Sequence, residues 1–261
     1  MPDLKEKVGV DVHCHLDRME DPLAVVKQAR EEGLAAIVTS VADPEDAPKA
    51  FEILKGNEDF VKLCLGFHPH AVGQYTEKEI EVYEELIKGT RFDIVGIGEI
   101  GLEYKAPFNA EEQKRIFTRF ADLAAALHKP IVIHCREAWA DQLKICIEKN
   151  YPHVIFHCFS GTEADIRTIC QRTDWYVSFA TNATYTKRHP RLIEKTPLNH
   201  MLLETDSPWL DPDHPPGVEQ KLVNRPWKIR KTAELVAGLK GISAEEVLKI
   251  TTENAKRVFG I

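Results

Sequence analysis

The chain has 261 residues, 43% of them hydrophobic and 29% charged, with a formal net charge of -7. That length and apolar content supply the core of one large domain and exclude a disordered chain. The acidic balance excludes a protein that grips nucleic acid through a broad basic surface, but not a nuclease that holds a phosphate with metal ions and a few local Arg or Lys.

Residues 1–7 are polar and mixed in charge, without the apolar centre of a signal peptide. No apolar run reaches the length of a membrane span. The six cysteines (Cys14, Cys64, Cys135, Cys146, Cys158, Cys170) are scattered with no Cys-x-x-Cys pair. This pattern points to reduced thiols in a cytoplasmic protein rather than a disulfide framework.

In chain order, the first element is the run Val8, Val10, Val12, closing in Asp11-Val12-His13-Cys14-His15. Read as a strand, it places Val8, Val10, Val12 and Cys14 on one face and Asp11, His13 and His15 on the other. Asp21 and Pro22 carry the N-cap and first-turn signature of a helix that Gly33 ends. A strand over 35–39, a helix over 44–54 and a strand over 61–66 follow, the last running into Phe67-His68-Pro69-His70. Ile80, Tyr83, Leu86 and Ile87 share one face of a helix over 77–88. The strand at 94–98 leads into Glu99, and a long helix covers 110–127. The strand at 130–133 ends at His134, a helix takes 138–149, and the strand at 154–156 ends at His157. Ser160-Gly161-Thr162-Glu163 matches a capping box with Ser160 as the cap. A strand over 175–179, a short helix over 190–194 and a strand over 201–204, ending at Asp206, complete the alternation. A Pro-rich loop over 207–225 and helices over 226–239 and 244–259 close the chain.

Eight strands alternating with helices in this length have the rhythm of a (β/α)8 TIM barrel of the metal-dependent hydrolase type, one unit spanning residues 1–261. An open doubly wound sheet lacks support, because no Gly-rich dinucleotide turn follows the first strand. In a barrel the C-terminal ends of all strands face one mouth. His13, His15, His68, His70, Glu99, His134, His157 and Asp206 all fall at such ends, and imidazole and carboxylate groups converging there point to a metal centre. Four of these histidines (His13, His15, His134 and His157) and the two carboxylates exceed the ligand number of one catalytic ion, so two ions are expected, with Glu99 as the bridge. Asp206 would bind an ion, orient the attacking water, or both. Cys14, Cys135 and Cys158 each follow a candidate ligand, and strand alternation turns them outward as small buried residues.

The motifs Asp11-Val12-His13-Cys14-His15-Leu16, Gly66-Phe67-His68-Pro69-His70, Gly98-Glu99-Ile100-Gly101-Leu102, His134-Cys135-Arg136, His157-Cys158-Phe159-Ser160-Gly161 and Glu204-Thr205-Asp206-Ser207-Pro208-Trp209-Leu210 stand in order along the chain. Together with residues 251–259 they resemble the TatD family of metal-dependent deoxyribonucleases. The resemblance implies an amidohydrolase-like TIM barrel and hydrolysis of DNA phosphodiester bonds with 3′–5′ exonuclease character. It also implies two divalent ions (Zn, Mg or Mn): one on His13, His15, Glu99 and Asp206, the second on Glu99, His134 and His157. Three positions depart from the family pattern. Glu103 stands where Asp is usual, Lys105 where a second aromatic is common, and Asn224-Arg225-Pro226 matches an Asn-x-Pro turn loosely.

Arg136, two positions after His134, has the geometry to hold a phosphate oxygen or to pair with a nearby carboxylate. His68 and His70 flank Pro69 and stand as substrate contacts or as ordinary loop histidines. Lys187, Arg188 and Arg191, and then Lys221, Arg225, Lys228, Arg230 and Lys231, would rim the mouth, either tracking a nucleic-acid backbone or forming a solvated face. Trp209, Tyr185 and Phe67 are candidates to stack on a base or to pack in the core. The expected partner is DNA, single-stranded or at 3′ ends, with no membrane and no obligate protein partner. The alternative is a related hydrolase of an ester, lactone or amide, including an ester on tRNA.

Overall fold

The structure, a computed structural model, describes residues 7–107, 109–215 and 223–261. Eight parallel strands stand side by side in sequence order: β1 (Val10–Cys14), β2 (Ala36–Val41), β3 (Val61–Leu65), β4 (Ile94–Glu103), β5 (Ile131–Arg136), β6 (Val154–Phe156), β7 (Tyr176–Phe179) and β8 (Met201–Leu203). Nine helices are described: α1 (Pro22–Glu31), α2 (Ala47–Leu54), α3 (Glu77–Gly89), α4 (Ala110–Ala126), α5 (Trp139–Lys149), α6 (Glu163–Ile169), α7 (His189–Lys195), α8 (Ile229–Lys240) and α9 (Ala244–Phe259). This is the (β/α)8 barrel expected from the alternation. No helix among the described residues is long and apolar enough to cross a membrane.

The seam between β8 and β1 closes the barrel without a regular ladder. Thr205 N–H donates to Asp11 Oδ1 (2.9 Å), Asp206 N–H to the His13 carbonyl (3.0 Å), and His15 N–H to the Ser207 carbonyl (2.8 Å). A side-chain oxygen of Asp11 thus stands in for one backbone acceptor.

Two apolar layers hold the structure. The larger lies between strands and helices and includes Cys14, Ile37, Leu63, Ile97, Ile133, Phe156, Phe179 and Leu203. The smaller takes Val10, Val12, Ala36, Val38, Cys64, Val95, Val132, Ile155, Tyr176 and Leu202 from all eight strands, together with Ala255, Val258 and Phe259 of α9. It fills the barrel interior near the strand N-termini, so α9 plugs that end. Gly9 N–H, just before β1, donates to Thr252 Oγ1 of α9 (2.9 Å).

Four details differ from the sequence reading. Val10 and Val12 face the interior while Cys14 belongs to the outer layer, so these residues do not share a face. The reason is a register shift in β1 between Asp11 and Cys14, since a bulge resets which side chains face inward. Second, β4 does not stop at Gly98. It continues to Glu103, paired with Arg136 of β5, so Glu99 sits inside a strand. Third, Thr162, not Ser160, caps α6, and Asp165 completes the capping box. Fourth, Cys158 does not turn outward. β6 ends at Phe156, Cys158 has φ +43°, and its Sγ lies 3.6 Å from Asn182 Nδ2, so strand alternation no longer governs it.

Candidate metal centre

Toward the strand C-termini the interior turns polar. His13, His15, Ser40, Glu99, His157, Ser178 and Glu204 are all buried there. A carboxylate and several imidazoles taken out of water together must find partners or a cation, because desolvated polar groups are costly otherwise.

Glu99 is the hub. Its Oε2 lies 3.6 Å from His13 Nε2 and 3.7 Å from His15 Nε2. Its Oε1 lies 2.7 Å from His157 Nε2 and 2.8 Å from His134 Nδ1. The two oxygens therefore address two separate histidine pairs. Asp206 Oδ1 joins the first pair, 3.4 Å from His15 Nε2 and 3.9 Å from His13 Nε2. The backbone of β4 reaches this position because Gly66 of the β3 end has no side chain. A Cβ there would stand 2.3 Å from Glu99 N.

The donor set fits divalent cations. His13 Nε2 and His15 Nε2 face each other at 3.2 Å, a separation across which one proton at most can sit, with carboxylates on either side. His15 Nδ1 has no hydrogen-bond partner among the described residues. His13, His157 and Asp206, and His13, His15 and Glu99, each bring ligand atoms within 4.8 Å of one another, as do His68, Glu99 and His134. His68 is the weaker candidate ligand among these. Its Nδ1 accepts the His70 N–H (3.1 Å), so a neutral ring carries its proton on Nε2, 3.5 Å from Glu99 Oε1. Burial pushes the His68 imidazole down to about 4, which keeps it neutral. Burial also opposes the Glu99 charge, yet His157 and His68 beside it hold its carboxyl well below the usual range.

The remaining sequence candidates lie at the rim. His70 Nε2 sits 3.1 Å from Asp43 Oδ1, and the Arg136 side chain is about half exposed with Nη1 4.0 Å from Glu103 Oε2. Trp209 is partly exposed and meets the His15 ring edge-on at 4.9 Å. Phe67 is buried and stacks on Phe120, so it is a core residue. Of the basic clusters, Lys228 pairs with Asp211 and Asp213, Lys231 with Asp213, Arg230 with the Glu32 carbonyl and Arg191 with Glu163. Lys187 and Arg188 are exposed, and Lys221 lies outside the described residues.

Sequence reasoning gave no role to the groups behind the ligands. Ser40 Oγ lies 3.2 Å from His13 Nδ1. Glu103 Oε2 lies 3.3 Å from His134 Nε2. Glu204, fully buried, accepts the Cys158 N–H (2.8 Å) and stands 3.4 Å from His157 Nδ1. Asn224 Nδ2 reaches Thr181 Oγ1, the Thr205 carbonyl and the Trp209 carbonyl, pinning the loop that carries Asp206. In the sequence Glu103 and Glu204 stand beside or within ligand motifs and Asn224 in the Asn224-Arg225-Pro226 turn, while Ser40 carries no sign.

A family model described as TatD related DNase matches residues 10–260. The human protein "Deoxyribonuclease TATDN3" is 30% identical over 96% of this chain and 94% of its own length. The Bacillus subtilis protein "Uncharacterized metal-dependent hydrolase YabD" is 33% identical over 96% of this chain and 98% of its own. The crystal structure of YJJV, a TatD homolog from Escherichia coli, superposes with a TM-score of 0.86 at 23% identity, covering 97% of this chain and 98% of that one.

Proposed function

We propose, from the premise that this chain belongs to the family of TatD-related DNases and is a metal-dependent hydrolase of ester bonds, that it hydrolyses DNA phosphodiester bonds with two divalent ions and 3′–5′ exonuclease character. The observation that carries this reading is the division of Glu99, one oxygen toward His13 and His15 and the other toward His134 and His157. His13, His15, Glu99 and Asp206 would hold one ion, and Glu99, His134 and His157 the other. Divalent ions so held supply Lewis acidity toward a phosphoryl oxygen and lower the pKa of water.

The chain's own groups do the rest. Asp206, whose side chain is 18% exposed, is the carboxylate of the set that reaches solvent and would take the proton of the attacking water. His68 offers an Nε2–H and Arg136 a guanidinium to non-bridging phosphate oxygens, with His70 beside them. The walls beneath, Val12, Val38 and Val132, keep water from the floor of the site. The substrate in this proposal is single-stranded DNA or a 3′ end. The six free thiols suit a cytoplasmic enzyme, and residues 1–261 act as one catalytic unit.

The test uses metal-loaded protein and end-labelled single- and double-stranded DNA. Label at the 5′ end should yield a descending ladder, and Asp206→Asn should slow it by about 10²- to 10⁴-fold. Absence of cleavage with Mg²⁺, Mn²⁺ and Zn²⁺, together with turnover of an ester or amide panel, would sink the proposal.

A further inference from the structure

His134 sits between two carboxylates. Its Nδ1 faces Glu99 Oε1 at 2.8 Å and its Nε2 faces Glu103 Oε2 at 3.3 Å. Glu103 itself is held. Its Oε1 accepts the Lys105 N–H (2.8 Å), and Gln113 brackets its backbone, accepting the Glu103 N–H (2.7 Å) and donating to the Glu103 carbonyl (3.0 Å). The Glu103 side chain is only 9% exposed, and its Oε2 lies nearer to His134 Nε2 (3.3 Å) than to Arg136 Nη1 (4.0 Å). An imidazole ligand needs a deprotonated nitrogen on the ion and a proton on the other nitrogen, and a carboxylate behind that second nitrogen fixes both the tautomer and the ring plane.

We propose that Glu103 is a positioning residue for His134, holding Nδ1 toward the metal centre through the Nε2–H and thereby setting the affinity of the ion shared by Glu99, His134 and His157. The inference rests on the two-ion reading above. It distinguishes the two ion sites physically. His134 is backed by Glu103, and His157 faces Glu204 at 3.4 Å. His13 is backed by the neutral hydroxyl of Ser40, and His15 Nδ1, like His157 Nδ1, has no hydrogen-bond partner among the described residues. Glu103 touches neither His13, His15 nor Asp206, so its removal acts on one ion alone.

The experiment loads the full chain with Zn²⁺ and reads each ion separately, by chelator competition in solution and by anomalous scattering at the zinc edge in crystals. Glu103→Ala should weaken one ion about 10- to 100-fold, with lost occupancy beside His134 and His157 and the ion beside His13, His15 and Asp206 retained. Glu103→Gln keeps the length and an acceptor oxygen, so it should recover most of that affinity and serves as the informative variant if the alanine chain does not fold. Wild-type affinity for both ions in Glu103→Ala, or equal weakening of both, overturns the inference. A wild-type chain that binds no divalent ion defeats the two-ion reading instead, so the two failures are told apart.

Discussion

Glu99 carries two loads that no other residue shares. Its Oε2 lies within 4 Å of His13 and His15 and its Oε1 within 4 Å of His134, His157 and His68, and the two oxygens of a carboxylate can serve two cations at once. Glu99→Ala is therefore expected to lose both ions, where Glu103→Ala weakens one. Zinc stoichiometry after dialysis measures this, and one ion still bound at full occupancy would show that Glu99 is not the bridge. The candidate ligands were legible at this scale because each closes an apolar run in the sequence, even where, as at Glu99, the strand runs on. Their supports were not. Asn224 and Glu204 act through buried hydrogen bonds to positions 15 to 46 residues away, and pairings of that range leave no local pattern.

Among the elements, α9 has the clearest separable task. It is amphipathic, capped by Ser243, whose hydroxyl accepts the Glu246 N–H (3.1 Å), and its last turn inserts Phe259 under the barrel floor. That floor lies beneath the polar layer that holds the histidines. Phe259→Ala should cost about 3–5 kcal/mol, the usual range for a buried Phe, and leave zinc affinity unchanged. Urea melts and zinc titrations of the same preparation check both halves. Periodicity and capping residues made α1, α3, α4 and α9 readable nearly to their ends, because each helix buries one stripe against the barrel. Strand registers were less readable. The shifts in β1 and β4 are set by neighbours, and bulges carry no reliable residue signature. Gly66 and Gly98 were visible as glycines, but the close approach of Glu99 N and Val132 that requires them belongs to the assembled sheet.

For the molecule as a whole, stability should fall on acidification through a group outside the candidate ion ligands. His189 of α7 is buried, and burial pushes its imidazole down to about 4, against a hydrogen bond from Nε2 to the Phe159 carbonyl (3.1 Å). A folded-state value below the unfolded one near 6.5 means that protonation favours unfolding. The contribution is whole above pH 6.5 and is lost as the pH falls toward 4, by about 3 kcal/mol over that window. His189→Gln removes it, so the gap in urea midpoint between wild type and variant should narrow from pH 7 to pH 4 in EDTA. Parallel curves would count against the assignment.

The β8–β1 seam has a consequence for the order in which the molecule comes into being. Its bonds join Asp11 to Thr205 across 194 positions, and loops of that size close late because their entropy is lost before any contact repays it. Glu99, His134 and His157 lie within 58 residues of one another, since 157 less 99 is 58, and a growing chain can gather them with only the central strands in place. His13 and His15 have waited since the start of synthesis for Asp206, which emerges last. On the two-ion proposal, the donor set of Glu99, His134 and His157 can therefore assemble before that of His13, His15 and Asp206, which is complete only when the ring closes.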